Sequence, residues 1–291
     1  MYFVRYALAI AALNVCVAPD AFAHGRVGDR FFPATIAVED PVAADELGFP
    51  TARFQDGEAE YELELAKRIT PRLAFSLGTA FVHSDEGDGF GNIETGLKYQ
   101  FYTNEEHESV LAAGLNVEWG GTGATRVGAE EVSTIAPTLY FGRGFGDAPA
   151  AWLRPLAVTG SLAYAQGVDD RTDAGEAVPH SASYGFTVQY SLPYLVAQVR
   201  DYGWPTWVNR LTPIVEVAVD QPIANRGEAR TTGTINPGVL WSGRYVQLGA
   251  EAIIPINKDS GDSVGFALQL HFYVDDLFPH SFGRPLLGIG L

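Results

Sequence analysis

The chain has 291 residues, with 35 Asp and Glu against 19 Lys and Arg and a formal net charge of −16. This acidity argues against nucleic acid as a partner, because the phosphates of the nucleic acid would repel the protein. A mean hydropathy of +0.03 is typical of a water-soluble chain. However, β-barrels of membranes escape hydropathy scales because only alternate residues face lipid.

The first 23 residues have the layout of a secretory signal peptide. Arg5 provides the positive start, residues 7–17 are apolar, and Ala21-Phe22-Ala23 fits a small-x-small cleavage site. Cleavage is expected to leave His24 as the mature amino terminus. The single cysteine, Cys16, lies within this signal. The mature chain is therefore expected to cross an oxidising compartment without disulfides.

Residues 24–49 are expected to form an irregular periplasmic segment, with the volume inside the barrel as the alternative place for it. Pro33 and Pro41 interrupt this stretch, and its charges follow no regular period. Further along the chain, charged residues interrupt every apolar window. No stretch after the signal reaches the ~18 apolar residues needed for a membrane-spanning helix.

From residue 50 onward the sequence alternates with the two-residue period of a β-strand. A weak strand at 50–55 is followed by a clearer one at 59–68, in which Tyr61, Leu63 and Leu65 alternate with glutamates. Pro137 is awkward within its strand, because proline cannot donate to the ladder. Further alternating stretches lie at 73–82, 92–101, 111–119, 134–141, 156–164, 184–191, 211–220, 230–240, 244–254 and 262–274.

The closing stretch, residues 262–274, shows the alternation best. One face is small and polar and includes Gln269 and His271, whereas the other is apolar and aromatic. The apolar face holds Val264, Phe266, Leu268, Leu270, Phe272 and Val274. A soluble periplasmic β-protein also alternates. The repetition of the pattern behind a secretion signal nevertheless favours a closed barrel in the bacterial outer membrane.

The connections between the strands alternate in length. One series is long and acidic, as in Ser84–Gly89 and Gly167–Pro179, and the other is mostly short, as in Ile69–Pro71 and Ser242–Gly243. This is typical of outer-membrane barrels, which have long external loops and short periplasmic turns. The sequence therefore predicts one all-β domain, an antiparallel up-and-down transmembrane barrel of about 12 strands at 50–274. A short helical turn is predicted near 194–200, and a periplasmic tail at 275–291.

Several stretches resemble a known group of proteobacterial outer-membrane barrels, the MetA-pathway phenol-degradation family. The resembling stretches are Gly28–Ile36, Gly142–Asp147, Leu153–Ala157, Ser191–Tyr194 and Asp275–Leu287. The resemblance implies the barrel fold and a role in transport associated with hydrophobic compounds. Many such barrels end on the aromatic residue of the last strand. Here the chain continues from Tyr273 to Leu291, so the tail is expected either to fold under the barrel or to enter it.

The predicted lumen face carries charged side chains, which need a water-filled path or a partner across the interior. One interpretation is a selective channel, or facilitator, for a small molecule, with a hydrophobic molecule among the candidates, in which acidic groups stand opposite Lys98, Arg210 and Arg230. The alternative is a structural or surface-interaction barrel whose interior is plugged by a salt-bridge network. The candidate lumen residues are Glu62, Glu64, Glu94, Lys98, Glu118, Arg210, Glu216, Arg230, Glu251 and His271.

A third hypothesis is a lipid-acting enzyme, since His83, Ser84 and Asp85 are adjacent. A catalytic triad assembles in space rather than in sequence, and the nucleophile-elbow motif GxSxG does not occur. No enzyme activity, catalytic residue, metal or cofactor is therefore expected. The expected partners are outer-membrane lipid and lipopolysaccharide, the barrel-assembly machinery and a small-molecule substrate.

Overall fold

A computed structural model of the chain describes residues 25–287. The predicted signal peptide and its cleavage site lie outside the described residues. The strands are β1 (Arg26–Val27), β2 (Arg30–Phe31), β3 (Glu46–Gln55), β4 (Glu58–Thr70), β5 (Leu73–Ser84), β6 (Gly87–Phe90), β7 (Ile93–Asn104), β8 (Ser109–Trp119), β9 (Thr134–Gly144), β10 (Leu156–Gly167), β11 (His180–Tyr190), β12 (Leu211–Ala224), β13 (Thr232–Ser242), β14 (Val246–Pro255) and β15 (Gly265–Tyr273).

Twelve of these strands, β3–β5 and β7–β15, form a closed antiparallel barrel. Each barrel strand pairs with its neighbour along the chain, and β15 pairs with β3 to close the cylinder. The predicted fold class is thereby confirmed. The first barrel strand begins at Glu46, four residues before the predicted start at Pro50.

The alternation of the sequence becomes an apolar outside and a polar inside. In β15, the Phe266 and Leu268 side chains are 50% and 48% exposed, whereas Ala267 and Gln269 are 1% and 7% exposed. The same outward row of large apolar residues recurs around the barrel, for example at Leu63, Leu77, Leu97, Leu115, Leu139, Leu162, Phe186, Val215, Val239 and Leu248. An exposed apolar surface this extensive is the lipid-facing belt of a membrane barrel.

Prolines interrupt two ladders of the barrel without ending a strand. Between β9 and β10, Thr138 pairs with Ala163 and Ile135 with Gln166, but no pair forms at Pro137 between them. Pro237 leaves a similar gap between β13 and β14. The missing proline N–H removes a local hydrogen bond, and the strand continues on both sides.

The two ends of the barrel differ. At one end, here named the turn end, most connections are short, as at Pro71–Arg72 and 243–245; at the other, the loop end, most are long, as at 120–133 and 168–179. The predicted alternation is present, although the first hairpin at the loop end is a two-residue turn. Asp56 and Gly57 there have φ of 51° and 89°, as hairpin turns of this length require.

Within the described residues, helical structure is confined to short turns. Near the predicted position at 194–200 lie α1 (Leu192–Tyr194) and a π-helical turn (Leu195–Val199), both in the long turn-end connection between β11 and β12. The others are α2 (Val274–Leu277) and 3-10 turns at Thr125–Val127, Val208–Arg210 and Lys258–Ser260. No helix within residues 25–287 is long and apolar enough to cross a membrane.

Residues 32–45, here named the inner segment, enter the lumen from the turn end. Apolar residues of this segment pack on the barrel wall. Phe32 and Val42 join a cluster with Val110, and Ile36 joins one with Ile214, Leu240, Ile253 and Ala267. The carboxy-terminal tail instead lies at the turn end, where the backbone N–H groups of Leu286 and Leu287 donate to carbonyls of β4. The inner segment thus fills part of the lumen, and the tail packs beside the turns.

Candidate functional site

A cavity of about 520 Å³ lies inside the barrel, between the inner segment and a wall formed mainly by strands β3–β5, β7–β9 and β15. Its lining is dominated by carboxylates. The acidic lining residues are Glu39, Asp40, Glu46, Glu60, Glu62, Glu64, Glu94 and Glu118; the basic ones are Arg53, Lys98 and His271. An excess of one charge in a low-dielectric enclosure concentrates counter-ions of the opposite sign.

Three of these carboxylates belong to one row of paired residues that runs across neighbouring strands. Glu64 pairs with Gly78, Gly78 with Glu94, and Glu94 with Glu118. Lumen-facing residues directly opposite each other bring their side chains within about 5 Å at Cβ. Because barrel strands tilt, such a row climbs from one end of the barrel towards the other. We name Glu64, Glu94 and Glu118 the carboxylate row.

The row extends at both ends. Towards the turn end, Glu64 pairs with Gly48, and Gly48 pairs with His271, whose Nε2 lies 3.2 Å from a carboxylate oxygen of Glu46. Towards the loop end, Asn92 donates its side-chain N–H groups to Glu118 (2.8 Å) and to the carbonyl of Glu130 (2.9 Å). Acidic side chains therefore follow the cavity wall over much of its height.

Two cations of the cavity are already neutralised. Arg53 forms ion pairs with Glu60 (2.9 Å) and Glu62 (2.8 Å), and it donates to the carbonyl of Ile36. Lys98 forms an ion pair with Glu39 (2.6 Å) and donates to the carbonyl of Asp40. Within residues 25–287, neither Glu64 nor Glu94 has such an ion pair, so no basic side chain of the cavity is committed to these two groups.

The inner segment carries a titratable group beside this cavity. Burial raises the pKa of the Asp40 carboxyl to about 6, although the positive charge of Lys98 opposes that shift. One Asp40 oxygen accepts a hydrogen bond from the backbone N–H of Val42 at 2.8 Å. The charge of the inner segment therefore changes in mildly acidic solution.

The predicted lumen residues divide into three groups. Lining the cavity are Glu62, Glu64, Glu94, Lys98, Glu118 and His271. Glu216 and Glu251 also point inward, but both are buried where the inner segment meets the wall. Arg210 and Arg230 do not line the cavity, which corrects the sequence-based assignment. Arg210 ends a 3-10 turn, with its guanidinium 5.8 Å from the ring centre of Trp241, and Arg230 is exposed in the loop between β12 and β13.

Sequence reasoning missed several lining residues. Glu60 has the same parity as Glu62 and Glu64, so the alternation could have identified it. Glu39 and Asp40 lie in a segment without periodicity, and nothing in the sequence places that segment in the lumen. A second cavity of about 380 Å³ lies on the other side of this segment, lined by Ser161, Ser183, Asp220, Thr232 and Thr234 among others.

The residues of the hydrolase hypothesis lie at the loop end. His83 forms a hydrogen-bonded pair with Asp88 rather than with Asp85, and both side chains are largely exposed. The hydroxyl of Ser84 donates to the carbonyl of Gly87. This arrangement is that of a hairpin edge, in which the serine hydroxyl stabilises the turn.

The apolar belt and the closed antiparallel cylinder define a transmembrane β-barrel of twelve strands. Solved structures have a similar backbone. The KdgM porin is 10% identical, with 78% of this chain and 98% of that chain covered and a TM-score of 0.51. The NanC porin is 8% identical, with the same coverage and a TM-score of 0.51. The KdgM porin in complex with disordered oligogalacturonate is 11% identical, again with the same coverage, and has a TM-score of 0.50.

No family model matches the sequence, and no curated protein matches it. At identities of about a tenth, the likeness to porins establishes the fold.

Proposed function

We propose that this chain is an outer-membrane channel that admits small hydrophilic molecules and favours cations over anions. The observation that carries the proposal is the cavity of about 520 Å³, in which eight acidic residues face two basic side chains and one histidine. Rings and rows of Asp and Glu are the usual means by which a pore selects cations.

The chemistry of the lining also bears on the kind of solute. The unpaired carboxylates Glu64 and Glu94 offer hydrogen-bond acceptors and negative charge to a passing molecule. A hydrophobic solute would gain little from such a wall, because charged groups lose hydration when an apolar surface covers them. The resemblance to the MetA-pathway phenol-degradation family, and the passage of a hydrophobic compound that it implies, therefore form a less favoured version of the proposal.

Planar-bilayer recordings under a salt gradient test the proposal. The reversal potential should indicate preference for the cation, and Glu64→Gln combined with Glu94→Gln should reduce that preference. Asp173→Asn, in the exposed loop between β10 and β11, is the matched control, because it removes one carboxylate far from the lumen. Folded, inserted protein that passes neither ions nor small solutes in bilayers and in liposome-swelling assays would contradict the proposal.

A plugged structural or surface-interaction barrel is the second candidate. The observation in its favour is the inner segment, which occupies the lumen and is fixed at both ends by buried ion pairs. This candidate predicts no conductance in the parent protein. It also predicts that neutralising Glu64 or Glu94 changes the free energy of unfolding and nothing else.

A further inference from the structure

The inner segment is fixed at its base by buried charge clusters. Before the segment, the fully buried side chain of Arg30 forms an ion pair with Glu108 at 3.0 Å. At its end, the fully buried carboxylate of Asp45 binds both Lys67 and Arg68. Removing one partner of such a pair leaves an uncompensated buried charge, which is strongly unfavourable. The base is therefore expected to stay in place when the rest of the segment moves.

The tip of the segment, residues 34–40, is held in another way. The backbone N–H groups of Ile36, Ala37 and Val38 donate to the Glu216 carboxylate at 3.0, 2.7 and 3.3 Å. The hydroxyl of Thr187 donates to the same carboxylate at 2.9 Å. Four donors therefore surround this one fully buried carboxylate. Glu216 is thus the acceptor that fixes the N–H groups of Ile36, Ala37 and Val38. The carbonyls at the start of the tip are bound separately by Gln247, Gln269 and Arg53, and Lys98 pairs with Glu39.

A second carboxyl group lies next to Glu216. Glu251 is 4% exposed, and its side chain leans across Gly238, where an added Cβ would clash with the Glu251 Cγ. Asn236, which pairs directly with Glu216 in the β12–β13 ladder, also faces Glu251. Within residues 25–287, no donor reaches either carboxyl oxygen of Glu251.

Two adjacent buried carboxyl groups do not both ionise unless a cation separates them. The charged side chain facing Glu251 from β3 is Arg53, and it is committed to Glu60 and Glu62. Glu216 accepts from four donors, whereas neither carboxyl oxygen of Glu251 has a hydrogen-bond partner. A carboxyl O–H of Glu251 that donates a hydrogen bond to Glu216 would give both groups a hydrogen-bond partner.

We propose that residues 34–40 form a gate, and that one proton held between the buried carboxyl groups of Glu216 and Glu251 is its latch. The inference rests on the proposed function, because a gate requires a passage. Ala37 and Glu39 line both cavities, so the tip is the wall between them. When Glu251 loses its proton, repulsion displaces one carboxylate and the three N–H groups lose their acceptor. Ala37 and Val38 then leave the wall and the two cavities join.

The test measures the exposure of the tip directly. Val38 is 3% exposed, and the only cysteine of the chain is Cys16, which lies in the predicted signal. Val38→Cys in protein without Cys16, folded in liposomes, is treated with a charged thiol reagent from neutral to strongly alkaline pH. Asp173→Cys in an exposed loop corrects for ionisation of the thiol itself. Ala37→Cys repeats the measurement at a neighbouring position, and heat-modifiable gel migration confirms that each variant is folded.

The corrected rate of thiol modification in Val38→Cys should rise about tenfold or more in alkaline solution, the change expected when a hydrogen bond to a charged group is lost. Adding Glu216→Gln should make the rate high already at neutral pH. Adding Glu251→Gln, which imitates the protonated acid, should keep it low at every pH. Asp173→Asn removes a carboxylate from the exposed loop between β10 and β11, outside the lumen, and should leave the rate and its pH dependence as in Val38→Cys alone.

The pKa of Asp40, about 6, lies below the neutral-to-alkaline range of this assay, so its titration does not contribute to the measured change. A corrected rate that does not change with pH, or one that rises equally with and without Glu251→Gln, would overturn the proposal. The thiol reaction needs no ion flow. A closed, non-conducting barrel with a pH-dependent tip would contradict the proposed function alone, whereas a conducting barrel with an immobile tip would contradict the gate alone.

Discussion

The strongest single test of the interior packing is Arg30→Met. Arg30 is fully buried, its guanidinium forms an ion pair with Glu108 and donates to the carbonyls of Arg154 and Pro155, and it lies 3.8 Å from the ring centre of Tyr194. Methionine keeps most of the volume but removes the charge. Glu108, itself 4% exposed, then stays buried without its cation. Breaking one side of a buried pair costs about 3–5 kcal/mol, and we expect a loss of that size in the free energy of unfolding.

Urea unfolding in detergent micelles, followed by gel migration and tryptophan fluorescence, measures this loss. The double variant Arg30→Met with Glu108→Gln should recover part of it, because no unpaired charge remains. Arg143→Met is the matched control, since Arg143 pairs with Asp147 where both side chains are about a third exposed, 34% and 35%. That pair should contribute less than about 1 kcal/mol. If Arg30→Met and Arg143→Met cost the same, the buried ion pair does not anchor the segment and the reasoning fails.

Three further predictions concern the lumen. Glu94→Gln alone should shift the reversal potential towards zero under a salt gradient, and an equal shift with Asp173→Asn would show that surface charge, not the lumen, is responsible. Asp40→Asn should remove the part of the pH dependence of the free energy of unfolding that comes from this carboxyl group. With its pKa raised to about 6 from an ordinary value of 3.8, Asp40 stabilises the fold fully below about pH 4 and loses that contribution as the pH rises through 6. Urea unfolding at several pH values checks this, and an unchanged slope in the variant argues against it. Gly96→Ala should cost about 1–3 kcal/mol in the same assay, because its Cβ would lie 2.5 Å from the Ser76 hydroxyl oxygen; unchanged stability would mean that Ser76 rotates away freely.

The barrel was predictable because lipid imposes a rule on every second residue. A side chain such as Leu97 or Leu268 must be apolar because it faces hydrocarbon. Its neighbours along the strand face the lumen and can be small or polar. The period of two therefore survives in single strands, even across Pro137. Strand bounds were less predictable, since β3 begins at Glu46 within a stretch that has no clear alternation.

The interior was predictable only for residues on regular strands. Glu62, Glu94 and Lys98 follow from the parity of their apolar neighbours. Arg210 and Arg230 were misplaced because both lie just outside the strands, where parity has no meaning. The sequence left open whether the inner segment enters the lumen, and no local pattern predicted its course. Its partners come from strands far along the chain, as with Ile36 and Glu216, and such contacts leave no local period.

The seam between β15 and β3 links the two extremes of the folded chain. Leu47 pairs with Phe272 and Glu46 with Tyr273, so the cylinder closes only when its last strand is present. A chain that stops before residue 265 would keep two open strand edges and would have no enclosed lumen to receive residues 32–45. Residues from the two ends of the barrel sequence must meet in this seam. The chain entropy lost in bringing them together is therefore compensated only when β15 pairs with β3, at the end of folding. Truncation from the carboxy terminus is therefore expected to abolish the whole barrel rather than to shorten it by one strand.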